Sequence, residues 1–596
     1  CIIMKIWIFL RDLIKHSKQT LKRFFEAFYI PLKYSAFFSS LYIIIKIICS
    51  LVPIVTVISL QNLIDSISYA NFTNIFLYAF LMVFLNAFEW IVENIDSQIA
   101  ERIKLDISAP VIMSINEKKN SICMAYFEDD ESCKLMYRVS SSACDKITST
   151  FLSCVGLIEL IIQLLSLLLI ISSYVWWSSI VIIVLSIPLL YFSKSFGEDS
   201  YESDIESTDY KRKSDYYFDL LTKKETIYEK YLFNSSGFLM DKWKNDYHMY
   251  EKLKNQQQLK SFIKTKFSGI IVDSATLLII FFMIILLLQN TISFSLFVSY
   301  SSAVFGIISI VSWNLTYFIS EVYTGLRFNE EYHLFFDMEE ERSSGDIITE
   351  IQTIEFKNVS FSYPNSDKYV INNLSLKLEK GKKYFLVGRN GSGKSTFTKL
   401  ILGVYDNYDG EIFINGCNLK KINLKKYRNK ISYLNQVNMK LNTKVSEYIF
   451  DNPDNLVDNS KLVKLDKMLK ENFNQKINRN NFLGNIFDKG IVLSDGEWQQ
   501  LNCIKQLLNN KDFYIFDEPT SFADPNKEKQ MYEYFSNNFN DKIFILISHR
   551  MSFGKISDEI IVLSDGKMIE CGNYEGLLAK DGAYSKMYRI QQGWYK

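Results

Sequence analysis

Six long apolar runs in the first half of this 596-residue chain constrain its fold more than any other feature. An α-helix needs about 20 mostly apolar residues to cross a lipid bilayer. Runs of that length lie near 36–60, 73–95, 150–172, 175–194, 267–289 and 294–318. The sequence therefore predicts an α-helical membrane bundle of six spans, and the even number places both chain termini on the same side of the membrane.

Lysine and arginine residues are distributed unevenly around these spans. They are frequent before the first span and in the long connections 96–149 and 195–266. The short connections near 61–72, 173–174 and 290–293 contain none. Because loops rich in Lys and Arg stay in the cytoplasm, both termini and both long connections are predicted to be cytoplasmic.

The two long connections have helical periodicity and few helix-breaking residues. We therefore expect the spans on either side of each connection to continue into the cytoplasm as extended helices. The chain would reverse direction near Ala125–Ser132 in the first connection and near Ser214–Thr226 in the second.

Several polar or charged residues lie within the predicted spans: Lys46, Glu89, Glu159, Gln163 and Asp273. A charge at membrane depth costs at least ~2.5 kcal/mol, so such groups usually face the bundle interior or a water-filled cavity. Two interpretations stay open. Either Glu159, Gln163 and Asp273 line a substrate-binding cavity, or Lys46 and Glu89 extend toward the headgroups while the others form interhelical hydrogen bonds.

Composition argues against several classes of site and partner. The formal net charge of +1 lacks the basic excess of a dedicated nucleic-acid binder, so no nucleic-acid partner is expected. The nine cysteines form no Cys-x-x-Cys pair, and none of the four histidines lies near another in the sequence. We therefore expect neither a disulfide framework nor a zinc site.

After an acidic linker at 331–350, the pattern changes from long apolar runs to short strands separated by polar segments. We therefore place a membrane domain at 1–330 and an α/β domain at 351–596. In the second domain the strand YFLVG leads into GRNGSGKST, Gly388–Thr396, which a helical segment follows. The motif G-x-x-x-x-G-K-[ST] between a strand and a helix predicts a P-loop.

The P-loop chemistry assigns a role to each part of this motif. Its glycines let backbone N–H groups turn toward phosphates, Lys394 reaches the β- and γ-phosphates, and the Ser395 hydroxyl binds Mg²⁺. The candidate nucleotide-binding residues of the loop are Gly388, Asn390, Gly391, Ser392, Gly393, Lys394, Ser395 and Thr396.

Two later strands supply further candidate groups. The strand in FYIFDE ends with Asp517, a predicted Mg²⁺ ligand, and Glu518, a predicted catalytic carboxylate that polarises the attacking water. The apolar strand in KIFILISHR leads to His549. Because ligands bind at the carboxyl ends of parallel strands, His549 is predicted to contact the γ-phosphate as a catalytic residue.

Together these motifs and their order resemble the ATP-binding cassette (ABC) exporters, in which six spans are fused to one nucleotide-binding domain. The resemblance covers nearly the whole chain and implies ATP and Mg²⁺ as cofactors. It also implies that Tyr363 stacks on adenine, that Gln436 is a catalytic residue and Mg²⁺ ligand, and that Asp524 lies in the D-loop of the nucleotide site. The two reversals would be the coupling helices of the family.

The tetrapeptide LSDG occurs twice, and the resemblance gives the two copies different roles. The first, at 493–496, shortly precedes the strand that carries Asp517 and takes the place of the signature sequence. In the family the signature completes the ATP site of a partner subunit, so Ser494 and Gly496 would contact the partner's γ-phosphate. The second copy alternates like a β-hairpin with Asp565 and Gly566 at its turn, which predicts a structural role.

The first copy departs from the common signature LSGGQ at two positions, where Asp495 replaces a glycine and Glu497 replaces the glutamine. A carboxylate favours a helix N-terminus, yet it repels a triphosphate. Either Asp495 points away and the chain forms a homodimer with two active sites, or the chain pairs with a paralogous half-transporter in a heterodimer. We expect the homodimer.

The expected function is ATP-driven export across a bacterial plasma membrane by alternating access. The stretch GEWQ, which follows the signature serine and aspartate, resembles exporters of bacterial peptides, so a peptide is the expected substrate, with drug or lipid export as the alternative. Because few residues of this sequence precede the first span, we expect no leader-cleaving peptidase and expect the peptide to be processed elsewhere. A non-pumping regulator is disfavoured because Glu518 and His549 are both present.

Overall fold

The computed structural model describes residues 17–364, 366, 368–435, 439–451, 458–473, 476–486, 489–519 and 525–594. The chain divides into two compact units. The first comprises the chain up to Ile122 together with Asp130–Met338, and the second comprises Cys123–Asp129 together with the chain from Glu339 onward. Most of the predicted first reversal therefore belongs to the second unit.

The described part of the first unit is helical. Its helices are α1 Ser17–Tyr34, α2 Ala36–Cys49, α3 Val52–Ser68, α4 Phe72–Ser121, α6 Asp130–Tyr174, α7 Trp176–Thr222, α8 Lys224–Leu232, α9 Ser236–Leu288, α10 Phe294–Ser309 and α11 Thr316–Phe336, with a π-helical turn at Ile310–Leu315. The short helix α5, Ala125–Glu128, lies in the second unit.

Four of these helices, α4, α6, α7 and α9, are 45 to 53 residues long. At a rise of about 1.5 Å per residue, each is longer than the hydrocarbon core of a bilayer is thick. The chain reverses between α4 and α6 and again between α7 and α9. The predicted extension of the spans into long helices and the position of the first reversal are therefore confirmed. The second reversal lies later than predicted, at 223–235, because α7 continues through Thr222.

Five stretches of the described residues are long and apolar enough to cross a membrane. They are Ala36–Ser68, Phe72–Ser121, Asp130–Ser173, Trp176–Thr222 and Phe294–Phe336. The predicted span 267–289 falls in the last part of α9, where Thr276–Leu288 forms a shorter apolar stretch. The first unit is thus a multi-pass helical bundle, and the sixth span stays a prediction.

Charged side chains from three helices form a cluster within this bundle. The Lys46 Nζ atom on α2 lies 2.5 Å from Asp96 Oδ2 on α4 and 3.4 Å from Glu159 Oε2 on α6. Gln163 donates a hydrogen bond of 3.3 Å to Glu159. Lys46 is therefore paired across helices, and the interpretation that it extends toward the headgroups is wrong.

Asp273 makes a contact between helices as well. The Ser312 hydroxyl of the π-helical turn donates a hydrogen bond of 3.4 Å to the Asp273 carboxylate on α9. Hydrogen bonds of this kind hold membrane helices together. Lys46, Glu159 and Asp273 thus connect neighbouring helices. A substrate contact by Glu159, Gln163 or Asp273 stays a prediction.

Two β-sheets form the framework of the second unit. The strands are β1 Thr353–Phe361, β2 Ile371–Glu379, β3 Lys383–Gly388, β4 Asp409–Ile414, β5 Cys417–Asn418, β6 Ile431–Leu434, β7 Phe513–Asp517, β8 Ile543–Ile547, β9 Glu559–Ser564 and β10 Lys567–Gly572. An antiparallel sheet has the order β2-β1-β4-β5. The other sheet has the order β10-β9-β3-β8-β7-β6, and all of its neighbouring pairs are parallel except β9 and β10.

Helices surround these sheets. They are α12 Lys394–Ile401, α13 Leu424–Arg428, α14 Val445–Phe450, α15 Asn459–Phe473, α16 Asp495–Leu508, α17 Pro525–Asn537, α18 Tyr574–Ala579 and α19 Ala583–Trp594. Every residue of β3 is buried, and its side chains alternate between two cores, with Tyr384 and Leu386 in one and Phe385 and Val387 in the other. Burial on both faces explains why these strands read as continuous apolar runs.

The second LSDG copy forms the turn between β9 and β10, as predicted. Asp565 and Gly566 have φ angles of +47° and +75°, and Ser564 pairs with Lys567. Two left-handed central residues are typical of a type I′ hairpin turn. The Gly566 N–H also donates to the carbonyl oxygen of Ser392 at 3.3 Å. The turn is therefore hydrogen-bonded to the predicted P-loop.

Replacing Gly566 with alanine should destabilise the second unit more than replacing Gly416. Both glycines have a left-handed φ, but a Cβ on Gly566 would lie 2.4 Å from the Val370 carbonyl oxygen, whereas one on Gly416 meets no described atom within 4 Å. Both variants carry the strain of a left-handed φ, and Gly566→Ala adds a clash with the backbone. Its free energy of unfolding should therefore fall by at least ~1 kcal/mol more than that of Gly416→Ala. Thermal unfolding of the full chain in detergent measures the difference; equal midpoints for the two variants would contradict this account of the turn.

Candidate nucleotide-binding site

The carboxyl ends of three adjacent strands meet at one edge of the six-stranded sheet. β8 lies between β3 and β7 and is parallel to both. β3 ends at Gly388 and leads into the predicted P-loop, β7 ends at Asp517, and His549 follows shortly after β8. Ligands of parallel α/β sheets bind at this edge. The strand order therefore brings together motifs that lie far apart in the sequence.

The backbone of the predicted P-loop is shaped for close approach by a ligand. Gly391 and Gly393 have φ angles of +78° and +100°, which residues with a Cβ rarely adopt. A Cβ on Gly388 would lie 2.3 Å from the Leu563 carbonyl oxygen, whereas one on Gly391 would meet no described atom within 4 Å. Helix α12 begins directly after Gly393 and adds its N-terminal N–H groups and dipole.

The polar side chains of this loop suit a phosphate. The Lys394 Nζ atom donates to the carbonyl oxygens of Gly388 and Arg389, at 2.8 and 3.1 Å. Burial lowers the pKa of Lys394, and two nearby carboxylates partly oppose that effect. The Ser392 hydroxyl is buried and has no hydrogen-bond partner within the described part of the chain. A phosphate oxygen would accept a hydrogen bond from this hydroxyl. Asn390 and Ser395 are exposed beside it.

Tyr363, the predicted adenine contact, lies beside the first turn of α12. Its hydroxyl is 2.9 Å from Thr396 Oγ1. Its ring packs edge-on against Tyr405 with centroids 5.7 Å apart, and Lys399 Nζ lies 5.2 Å from its centroid. Lys399 also pairs with Glu128 of α5 at 3.2 Å. Within the second unit, one lysine thus joins the first reversal to the predicted adenine contact.

The two acidic residues at the end of β7 have different surroundings. Burial and the neighbouring Glu518 raise the pKa of Asp517 to about 6, against the opposing effect of Lys394. Glu518 has a left-handed φ of +50°, and its carboxylate lies 3.1 Å from His549 Nε2. The Gln499 side chain donates to the Glu518 carbonyl at 3.0 Å. Strained non-glycine backbone is concentrated at functional sites, which agrees with the predicted catalytic role of Glu518.

Two predicted site residues carry oxygen donors that suit Mg²⁺. The Asp517 carboxylate and the Ser395 hydroxyl are hard ligands, which Mg²⁺ prefers, and a cation would stabilise the charged form of the buried carboxyl. Across the described ranges, no group of three or more His, Cys, Asp or Glu is placed to hold a metal by itself. Two predicted site residues, Gln436 and Asp524, lie outside the described residues.

The first LSDG copy begins helix α16, and Ser494 is its N-cap. The Ser494 hydroxyl accepts from the Glu497 N–H at 3.3 Å, and the Glu497 carboxylate accepts from the Ser494 N–H at 2.8 Å. This reciprocal pair is a capping box, with Gly496 in the first turn. Trp498 is buried against Tyr448 in the core formed by α14, α15 and α16. The tryptophan of GEWQ therefore has a packing role within the second unit.

Two lysines that no sequence pattern marks pair with the acidic residues of this turn. Lys440 Nζ lies 2.6 Å from Asp495 Oδ1, and Lys476 forms an ion pair with Glu497. Burial acts to raise the pKa of Glu497, but hydrogen bonds from Lys476 and Ser494 hold it below its usual value. The S-x-x-E spacing of the capping box is readable in the sequence. The lysines come from separate segments, and no spacing marks them.

Comparison with known proteins gives matches over both units. The ABC transporter family model matches residues 371–521. The subtilin transport ATP-binding protein of Bacillus subtilis is 28% identical to this chain. The alignment covers 90% of that protein and 91% of this chain. The nisin transport ATP-binding protein of Lactococcus lactis is 25% identical, with 93% of it and 92% of this chain covered. An ATP-dependent lipid A-core flippase of Pectobacterium atrosepticum is 32% identical over 44% of its length and 43% of this chain.

The fold is that of a solved exporter. A structure of a bacterial Atm1-family ABC exporter with ATP bound matches with a TM-score of 0.76 at 17% identity, covering 94% of this chain and 98% of the other. The predicted fold class, a membrane α-helical bundle of the ABC exporter type joined to an α/β P-loop nucleotide-binding domain, is therefore confirmed.

Glu518→Gln should abolish ATP turnover and leave nucleotide binding intact, because the amide keeps the shape of the carboxyl and lacks its basicity. We expect kcat to fall by roughly 10²- to 10⁴-fold, the usual contribution of a general base. Glu533→Gln, an exposed carboxylate on α17, is the matched control. Hydrolysis by the purified chain and binding of a fluorescent ATP analogue are the two measurements. A Glu518→Gln chain that turns over like Glu533→Gln would contradict the assignment.

Proposed function

Because this chain is an ABC exporter in which ATP hydrolysis is coupled to transport, we propose that it exports a peptide across the bacterial plasma membrane. The observation that carries this proposal is the extent of similarity to the subtilin and nisin transporters, which spans about nine tenths of each pair of chains. Such an alignment includes the membrane helices. Since the fold alone does not determine the substrate, similarity in the membrane region bears on it more than similarity of the ATP-binding region.

A lipid is the second candidate substrate. Its support is the similarity to the lipid A-core flippases, which is somewhat higher in identity but extends over less than half of this chain. The shorter alignment makes this candidate the weaker of the two.

We infer that the residues at the carboxyl edge of the sheet carry out ATP hydrolysis. The triphosphate would lie on the P-loop N–H groups and Lys394, Glu518 would take a proton from the attacking water, and His549 would contact the γ-phosphate. The separation of 3.1 Å between His549 and Glu518 supports their acting together. The other proposed nucleotide contacts are Tyr363, Gly388, Asn390, Gly391, Ser392, Gly393, Ser395, Thr396, Ser494, Gly496 and Asp524.

The donor set at Asp517 supports a role for Mg²⁺ in this site. Ser395, Asp517 and Gln436 would hold the ion. When bound there, Mg²⁺ would neutralise charge on the β- and γ-phosphates. Gln436 would then serve both as a ligand and as a catalytic residue.

We infer that the working unit is a homodimer with both termini in the cytoplasm. ABC exporters generally work as dimers in a membrane, and one feature of this chain favours a second copy over a paralogous half-transporter. The charge of Asp495 is paired with Lys440 of the same chain. An altered signature therefore does not require an inactive site. The distribution of lysine and arginine supports the orientation.

Reconstitution of the purified chain in proteoliposomes tests substrate and partner together. We expect the chain alone to hydrolyse ATP, with stimulation by nisin or subtilin that exceeds stimulation by lipid A or by hydrophobic drugs, and with no stimulation of Glu518→Gln. The absence of hydrolysis without an added half-transporter would contradict the homodimer. Stimulation by lipid A alone would contradict the peptide substrate.

A further inference from the structure

The first turn of α16 presents an electrostatic problem for an ATP site. In the proposed function Ser494 binds the γ-phosphate of the opposing chain, yet Asp495 and Glu497 place two carboxylates within three residues of it. A triphosphate approaching this turn meets like charge. The repulsion strengthens as the interface closes and excludes water, because the effective dielectric constant falls.

Each carboxylate has its own lysine. Lys440 Nζ is 2.6 Å from Asp495 Oδ1, and Lys476 is paired with Glu497. Lys440 and Asp495 are 55% and 64% exposed, so their pair adds little to folding stability. Its effect would instead appear in the closed, ATP-bound interface, where charges are screened less.

The Ser494 hydroxyl is already engaged by Glu497. It donates to Glu497 Oε2 at 3.0 Å and accepts from the Glu497 N–H at 3.3 Å. A hydroxyl has one proton to donate. A bond from Ser494 to a phosphate oxygen must therefore replace its bond to the Glu497 carboxylate. That carboxylate keeps a cationic partner in Lys476 when the exchange occurs.

We propose that Lys440 and Lys476 are positioning residues of the ATP site, which make LSDGE a competent signature by neutralising Asp495 and Glu497. Lys440 offsets the charge that stands where the common signature has glycine. Lys476 stays paired with the Glu497 carboxylate when the Ser494 hydroxyl donates to the γ-phosphate instead. The inference rests on the proposed function, because it requires an ATP site shared between two chains.

The Lys440 part is tested by the KM for ATP of the full-length chain in nanodiscs. Lys440→Ala should raise KM roughly tenfold, a moderate coupling between two sites, with a smaller change in kcat. Adding Asp495→Gly to Lys440→Ala should return KM toward the wild-type value, and Lys440→Arg should preserve it. Lys467→Ala, which removes an exposed lysine from α15, is the matched control and should behave like the wild type.

The Lys476 part has a parallel test. Lys476→Ala should raise KM, and adding Glu497→Gln, which restores the residue of the common signature, should reverse the rise. If a lysine variant lost activity because it no longer folded, adding Asp495→Gly or Glu497→Gln would not restore KM. Rescue by these substitutions therefore distinguishes an electrostatic role from a structural one.

The outcomes distinguish failure of the two lysine roles from failure of the proposed function. A hydrolysing wild type whose KM is unaffected by Lys440→Ala and Lys476→Ala, or whose variants are not rescued, would overturn the inference and leave the proposed function standing. A wild-type chain that neither hydrolyses ATP nor gains activity with a partner subunit would overturn both.

Discussion

The hydrogen-bonded alignment of β3, β8 and β7 holds the phosphate-binding loop, His549 and the two carboxylates at one edge of a buried parallel sheet. Each strand packs into cores on both faces, so its position is fixed by the same burial that stabilises the domain. The close approach of His549 to Glu518 and the effect of Lys394 on Asp517 follow from this order. In the proposed hydrolysis, the sheet would hold these groups in place before nucleotide binds.

ATP can drive closure of a dimer only if it binds the closed state better than the open one. In the proposed dimer, the opposing chain would supply part of that preference through the first turn of α16, where the dipole and the N–H groups favour phosphate and two carboxylates oppose it. The paired lysines would remove much of that opposition. The electrostatics of this turn would then contribute to how strongly ATP binding moves the membrane helices.

The sequence predicted the elements that depend on local pattern and did not predict the contacts between distant segments. Apolar run length predicted the spans, and the fixed spacing of the P-loop and of the strand before Asp517 predicted their places in the sheet. The hairpin turn of the second LSDG copy was predicted correctly, because hairpin alternation is a local signal. The signature role of the first copy depends on the family resemblance and stays a prediction. The pairing of Lys46 with Asp96 and Glu159, and of Lys440 with Asp495, depends on how helices pack. Charge alone did not reveal those partners.

Co-assembly of two inactive variants tests most directly whether nucleotide is shared between two copies of this chain. Lys394→Ala disables the phosphate loop, and Ser494→Ala disables the signature; neither alone should hydrolyse ATP. In a mixed dimer one site receives both defects and the other receives none. The account predicts that the mixture recovers up to about a quarter of wild-type hydrolysis, since about half of randomly formed dimers are mixed and each has one intact site. A mixture as inactive as its two components would contradict it.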